Sequence, residues 1–496
     1  MTRRGDTQSF LRSRRRRDFY ERRSILPSSN VVLAVVMLAC IGLAVYSFLR
    51  SDGSEEVQYA LPPVVMEGVT TSTTPVVQAG TTFLKCPEES TGWATFQGSN
   101  TRSGCTQSLR TINEPEVLWQ TEVGIFGWLN NPVISGNRVF VGSAGNLQFE
   151  GDDADGVYAI DLSTGAEVWH FQTENDVNGI AVSDDIVVAT GDEGRVWGIS
   201  ASGVDLGQAL WSVDIGISVF TNPLIIEGLA VVGDGAGEVT ALDLYTGERR
   251  WHIAVRGPIR GGASSDGTWI YVISEEGGAA AVSLTGTVVW RQDLVGEGGA
   301  AIRVFAAPTV AGQLLIVPVV RNDLYSEPAI MALDKQSGVV RWRASDVIGL
   351  KAEWGNARSS PALIGTLLVY GETYSSHLVA IDVASGETRW SVEAGPFCYP
   401  HWSSPAITTG QVILARHDGG LYGIDAAKGE LAWSIYLGDD TNGEFPDGYD
   451  EEGFCDWTPK EGSPVLASPA IAENGIVVVG SLQGILTAVG DANWGG

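Results

Sequence analysis

From Leu378 to Trp390 the chain alternates apolar and polar positions, reaches a small residue and then an acidic one, turns at a glycine and lands on tryptophan. Ala380, Asp382, Gly386 and Trp390 stand at offsets 0, 2, 6 and 10. The same offsets recur in Ala159, Asp161, Gly165 and Trp169, in Ala241, Asp243, Gly247 and Trp251, and in Ala332, Asp334, Gly338 and Trp342. Gly423, Asp425, Gly429 and Trp433 keep them with Gly in place of Ala. Three altered copies bring the count to eight: Gly198 to Trp211 with an insertion, Ala281 to Trp290 one residue short, and Ala488 to Trp494 cut down.

Each copy predicts two antiparallel strands joined by a tight turn. Alternation over the first segment has the period of a strand. Asp-x-x-Thr-Gly is turn chemistry, since Asp accepts backbone N–H groups two residues on and Gly tolerates positive φ. The small residue leaves room for the indole that opens the next strand. A single hairpin cannot bury an indole, so the units must stack side by side. Trp169, Trp211, Trp251, Trp290, Trp342, Trp390 and Trp433 follow one another at intervals of 39 to 52 residues, close to the roughly 40–50 residues of a four-stranded propeller blade. Two further strand candidates precede each motif, as in Pro361-Ala-Leu-Ile with Leu367-Leu-Val-Tyr, Pro405-Ala-Ile with Val412-Ile-Leu, and Pro469-Ala-Ile with Val477-Val-Val-Gly. The reading is all-β: an eight-bladed β-propeller of four-stranded blades. Glu116-Val-Leu-Trp-Gln-Thr-Glu-Val looks like an outer strand with no hairpin before it, and it is expected to complete the last blade and close the ring.

The A-x-D-x-x-T-G-x-x-x-W pattern resembles the tryptophan-docking repeat of the pyrroloquinoline-quinone (PQQ)-like propellers, the quinoprotein alcohol dehydrogenase-like superfamily. Trp93-Ala-Thr-Phe-Gln-Gly-Ser-Asn-Thr-Arg-Ser-Gly resembles the W-x-x-F-x-G-x-x-x-R-x-G lead-in of its bacterial members. The resemblance covers residues 92–496 and implies the fold more than the activity. That family includes quinone-dependent dehydrogenases and a non-catalytic propeller lipoprotein of outer-membrane β-barrel assembly. The dehydrogenases bring Glu, Asn and Asp ligands for calcium, an Asp base and often an adjacent Cys pair over the quinone. This chain has no Cys-Cys dipeptide and no C-x-x-C-H haem motif, so it resembles the non-catalytic member more. No cofactor is expected, with PQQ and Ca2+ as the alternative.

Composition agrees with turn-rich β structure: 496 residues, 44% hydrophobic, 62 Gly, 16 Trp and few charges. The net charge of −28 is unevenly spread. Residues 1–30 hold nine Arg against three acids, so the remaining 466 residues carry about −34. Val31–Leu49 is a 19-residue run without a charge, about 30 Å long as a helix and sufficient for a hydrocarbon core. Arginines before it and Asp52, Glu55 and Glu56 after it orient its N-terminus to the cytoplasm. The expected layout is a basic cytoplasmic tail (1–30), a transmembrane signal anchor (31–49), a Thr/Pro-rich stalk (50–91) and an extracytoplasmic propeller (92–496). The expected location is the cell membrane, crossed once. Nucleic-acid binding by the Arg run is the rival and is set aside for a topology role.

Cys40 lies in the apolar run; Cys86, Cys105, Cys398 and Cys455 are four, outside the cytoplasm on this layout, where disulfides persist. Of three connectivities, the local pairing 86–105 and 398–455 is the economical one. No C-x-x-C spacing supports a metal.

Loops leading into the innermost strands are polar and aromatic. They place Trp128, Asn131, Asn222, Arg260, Asn356, Arg358, His401 and Trp402 as candidates around the channel mouth, where aromatics and convergent donors suit a polar ligand or peptide. Two acidic loops, with Asp152, Asp153 and Asp155 and with Asp439, Asp440, Asn442 and Glu444, offer the oxygens calcium prefers, although a solvated loop accounts for them better. No G-x-S-x-G, Walker or zinc-protease pattern is present. The functional expectation is a monomeric scaffold that binds an envelope protein or other macromolecule through loops 291–305, 343–358, 391–402 and 434–466; the alternative is a PQQ-dependent dehydrogenase with calcium.

Overall fold

The structure, a computed structural model, describes residues 85–86, 92–108, 110–126, 130–296, 299–321, 330–344, 359–371, 377–394, 403–408, 410–438, 465 and 467–494. All of them belong to one unit, Ala79–Gly496.

Eight four-stranded antiparallel sheets follow one another. Blade 1 consists of Val133–Ser135, Arg138–Ala144, Asp155–Asp161 and Glu167–Gln172. Blades 2 to 7 cover 177–214, 224–254, 263–293, 309–344, 362–393 and 406–436 in the same strand order. Blade 8 takes three strands from 470–491 and its fourth from Pro115–Glu122. That N-terminal strand pairs antiparallel with Ile485–Asp491, Val117 opposite Val489 and Thr121 opposite Leu486. The ring is therefore closed by hydrogen bonds between the two ends of the propeller, as the lone outer strand predicts.

Closure also supplies the eighth indole. Trp119 stands opposite Ala488 across a register shift, as Trp169 stands opposite Ala159 and Trp390 opposite Ala380. The truncated copy thus ends on Trp119, and Trp494 is not its docking residue. Trp494 instead packs on Gly475 and under Arg110, having no ninth blade to meet.

The indoles hold the ring by one repeated contact. Nε1 of Trp119, Trp211, Trp251, Trp290 and Trp390 donates, at 2.8–3.1 Å, to Leu162, Leu244, Leu284, Lys335 and Ala426 respectively. Each acceptor carbonyl lies in the turn of the next blade. Above that turn the ring lies flat on a glycine: a Cβ added to Gly165, Gly207, Gly247, Gly286, Gly338, Gly386 or Gly429 would meet the preceding blade's indole at 2.6–3.1 Å. All seven have φ between +68° and +85°, a region that costs a side chain strain. The glycine is thus needed twice, for the turn and for the indole. The acidic residue sets the same turn: Asp382 Oδ1 accepts the N–H groups of Ala384 and Ser385 and the Ser385 hydroxyl, while Oδ2 takes Arg389 at 2.8 Å. Trp211, Trp290 and Trp433 are buried, whereas Trp119, Trp169, Trp251, Trp342 and Trp390 are partly exposed.

Two short 3₁₀ turns, Phe96–Gly98 and Asp192–Gly194, lie among the described residues, and no helix there is long and apolar enough to cross a membrane. The span expected at Val31–Leu49, the basic tail and residues 50–84 of the stalk lie outside the described residues. Cys86 and Cys105 form the local disulfide, with Cα atoms 5.5 Å apart; Cys398 and Cys455 lie outside the described residues.

Candidate functional site

The lead-in segment explains the geometry of the centre. Ile134, Val182, Ser265, Val310, Leu363 and Ile407 belong to the first strands of blades 1, 2, 4, 5, 6 and 7. Their backbone N–H groups donate to the carbonyls of Trp93, Ala94, Asn100, Thr101, Ser103 and Gly104. Asn100 donates to Ile225 of blade 3, and the 96–98 turn packs on the first strand of blade 8. A dozen consecutive residues can touch eight first strands only where those strands converge on the axis. The segment is thus a plug across the central channel.

Its core is Arg102, with no exposed surface. The guanidinium donates to the carbonyls of Ala263, Phe96 and Pro223 and to the Thr95 hydroxyl, at 2.7–3.2 Å. Among the described residues no carboxylate faces it, and oriented carbonyl dipoles stand in for a counter-ion. Burial pulls its pKa down to about 9, which still leaves it charged at neutral pH.

The plug binds near the C-terminal ends of the first strands, before the hairpin to the second. In antiparallel blades that face also carries the turns with the repeated Asp. The opposite face collects the loops between blades and the turns between second and third strands, and it holds the candidates. A regular device builds it: the N–H groups of Phe126, Val219, Ile259, Val304 and Val465 donate to carbonyls at the end of the preceding blade's second strand (Ser481, Gly191, Asp234, Glu275 and Arg416). All five side chains are buried, which tucks each connecting loop over the rim of the channel.

Asn131 is buried there, and its Oδ1 accepts the Ser468 N–H. Ser468 Oγ accepts the Ser404 N–H, Ser404 Oγ the Ser360 N–H, and Ser360 Oγ donates to the Ala307 carbonyl. This belt links blades 1, 8, 7, 6 and 5. Sequence reasoning missed it, although a readable signal exists: Asn or Ser stands directly before Pro ahead of five first strands, at Asn131, Asn222, Ser360, Ser404 and Ser468. Asn222 is buried beneath Gly262, where an added Cβ would meet its backbone. Asn131 is therefore placed at the mouth but spent on the belt, and Asn222 is buried there. Trp128, Asn356, Arg358, His401 and Trp402 lie outside the described residues, as do most of loops 343–358, 391–402 and 434–466.

Arg260 is different. Its Nε bonds Glu275 Oε2 at 3.1 Å, and the other oxygen of Glu275 pairs with Arg303. Phe220 lies 5.1 Å from the Arg260 guanidinium and Phe305 4.8 Å from that of Arg303. Glu275 is 6% exposed, while the Arg260 and Arg303 side chains are 34% and 42% exposed. Burial lowers the pKa of both, and Arg303 is lowered further by the charge of Arg260.

The acidic loop of blade 1 is organised for its own backbone. Asp152 Oδ2 accepts the N–H groups of Asn146 and Leu147, and Oδ1 that of Ala154. Burial opposes its charge, but those bonds outweigh it and hold the pKa below the usual carboxylate range. Asp155 is fully buried, raised by burial, and accepts the Asp152 N–H; Asp153 is exposed. Among the described residues no three His, Cys, Asp or Glu side chains are grouped to hold a metal; Asp439, Asp440, Asn442 and Glu444 lie outside them.

Residues 106–265, 256–397 and 365–446 match the family described as outer membrane protein assembly factor BamB. Over 332 residues the chain is 25% identical to the outer membrane protein assembly factor BamB of Burkholderia pseudomallei (strain K96243), spanning 63% of this chain and 80% of the relative. The crystal structure of BamB from Moraxella catarrhalis aligns with a TM-score of 0.55 at 15% identity, over 77% of this chain and 99% of that one. The quinohemoprotein alcohol dehydrogenase from Comamonas testosteroni aligns at 0.60 and 14% identity, over 80% of each chain. Both structures share the fold. These relatives correct the location read from the sequence. A single pass of the cell membrane does not fit factors of outer membrane protein assembly, and no described helix can cross a membrane.

Proposed function

The chain belongs to the outer membrane protein assembly factor BamB family, and from that membership we propose that it is a non-catalytic scaffold that holds an envelope protein against the loop face of its propeller. The observation that carries this reading is the plug. With residues 93–106 bonded to the first strands all round, one end of the channel is occupied, and a partner engages the other. That face offers Leu147, Phe149, Ile217 and Val295, each 42–60% exposed, and it also carries the Arg260–Arg303 pair. Exposed apolar side chains next to cations are contact chemistry for a protein partner.

The quinoprotein alternative needs donors free to hold a quinone and calcium. Here Asn131 is bonded into the inter-blade belt and Asp152 into its own loop. No quinone or calcium enters the reading.

Photo-crosslinking from a genetically encoded aryl ketone in intact cells tests it. Probes at Leu147, Ile217 and Val295 should give a discrete protein adduct; probes at Val204 and Tyr245, exposed on the opposite face, should not. Adducts from neither face, or equally from both, contradict the proposal. Full chain that binds PQQ with calcium stoichiometrically and reduces a dye would replace the scaffold with the enzyme.

A further inference from the structure

We propose that the cleft between blades 1 and 2, on the plugged face, is a binding site for a short zwitterionic peptide. It lies on the face opposite the proposed protein contact and does not rest on that reading.

At two other junctions the motif turn is tied to the first hairpin of the preceding blade. Between blades 2 and 3 the Tyr245 hydroxyl donates to Asp184 at 2.9 Å, and between blades 4 and 5 Lys335 Nζ pairs with Asp266 at 2.7 Å. Between blades 1 and 2 no side-chain bond among the described residues joins 135–138 to 201–206. A groove of about 450 Å³ stays open there, within the ~300–1,000 Å³ of small-ligand sites. Ser202 stands four residues after Gly198, where Tyr245 stands four after Ala241, and it is too short to reach across. The insertion in this copy of the repeat supplies one wall, from Ala201 to Leu206. It still lays Gly207 on Trp169 but leaves that indole's Nε1 without an acceptor among the described residues, whereas five other indoles find one in the next blade's turn.

The two walls carry opposite charges that are not paired. Arg138, on the blade 1 side, stands opposite Asp161 in the strand register, but that carboxylate is already used. Its Oδ1 accepts the N–H groups of Ser163 and Thr164, and Oδ2 accepts the Asn137 amide at 2.8 Å. In three other blades the same Oδ2 takes an arginine seven residues on, Arg250, Arg341 or Arg389; here that position is Val168. The Arg138 guanidinium has no ion pair or hydrogen bond among the described residues, and neither has the Asp185 carboxylate on the blade 2 side. Between them the lining is apolar: Phe140 and Val182 are buried and Leu206 partly so.

An unpaired cation, an unpaired anion and apolar surface between them complement a carboxylate and an ammonium separated by apolar side chains. The planar guanidinium suits the carboxylate with two N–H bonds. A simple anion would meet Asp185 and a simple cation Arg138, so the two charges together select a ligand that carries both. The end of a protein chain offers one of them; a free dipeptide offers both at once.

Isothermal titration of full chain with Leu-Leu, its N-acetyl form and its C-terminal amide tests the site. Leu-Leu should bind with a sub-millimolar Kd, and each capped form at least tenfold more weakly. R138Q should bring Leu-Leu and the amide to equal affinity while the acetyl form stays weaker; D185N should do the reverse. Both variants should keep the thermal melt. S202Y, which puts at this junction the side chain that closes the next one, should remove binding with the melt unchanged. No heat with Leu-Leu at millimolar concentration overturns the proposal, as does equal affinity for the three peptides or an unchanged ranking in both charge variants. Full affinity in the N-acetyl form alone overturns the zwitterion in favour of a plain carboxylate.

Discussion

At the scale of the residue, the repeat is a lock between an indole and a glycine. Gly247 has φ +72° and would set a Cβ 2.7 Å from the Trp211 ring, so Gly247→Ala must strain the turn and lift the indole. It should lower stability by about 2–3 kcal/mol, read by urea unfolding. Trp390 is partly exposed, so Trp390→Ala should lose roughly 2–4 kcal/mol, at or below the usual range for a large aromatic; an unmoved melt would contradict the packing. Asp176 sets a pH dependence. Burial pushes its carboxyl up to about 7, a bond from the Phe149 N–H opposes that, and the charges of Asp192 and Asp155 add to it. The folded state then keeps a proton that the unfolded chain has lost above about pH 4. Its contribution is therefore largest below that pH and is lost as pH rises through 7. Asp176→Asn should match the parent near pH 4.5 and exceed its melting temperature increasingly towards pH 8; a constant offset would contradict the assignment.

At the scale of the element, blade number, strand order and the closing strand were legible because hydrophobic period and turn chemistry repeat at fixed offsets. The eighth indole was not, because its motif is split between the ends of the propeller: Ala488 lies in one strand and Trp119 in a strand near the other end. Trp494 occupied the position the pattern asked for without a blade to pack on. Trp119→Ala should therefore cost about as much as Trp390→Ala, roughly 2–4 kcal/mol, and Trp494→Ala less. The candidate site was legible in part. Arg260 could be placed by its loop, but Glu275 sits in a turn of the same blade and Arg303 in a short ribbon with Val320, and only the folding of blade 4 and its flanking loops brings the three together. Asn131 looked like a ligand donor because a buried belt and an exposed mouth use the same residue types.

At the scale of the whole molecule, eight similar blades could form an open arc as readily as a ring, and two devices decide for the ring. One is the shared blade 8. The other is the plug, whose buried Arg102 leaves three carbonyls and a hydroxyl without donors if removed. Arg102→Met should cost several kcal/mol, since each orphaned buried acceptor costs about 1–3 kcal/mol. The same plug makes the propeller one-sided, and the proposed docking of a partner depends on that. Hydrogen exchange on full chain measures it most directly, at the amides of Ile134, Val182, Ser265, Val310, Leu363 and Ile407, which all donate to the plug. The account predicts that these six exchange together as one slow group, and that Arg102→Met releases all of them, including those in blades 1 and 7 that its side chain never touches. Independent exchange blade by blade, or loss of protection confined to the neighbourhood of Pro223 and Ala263, would contradict it.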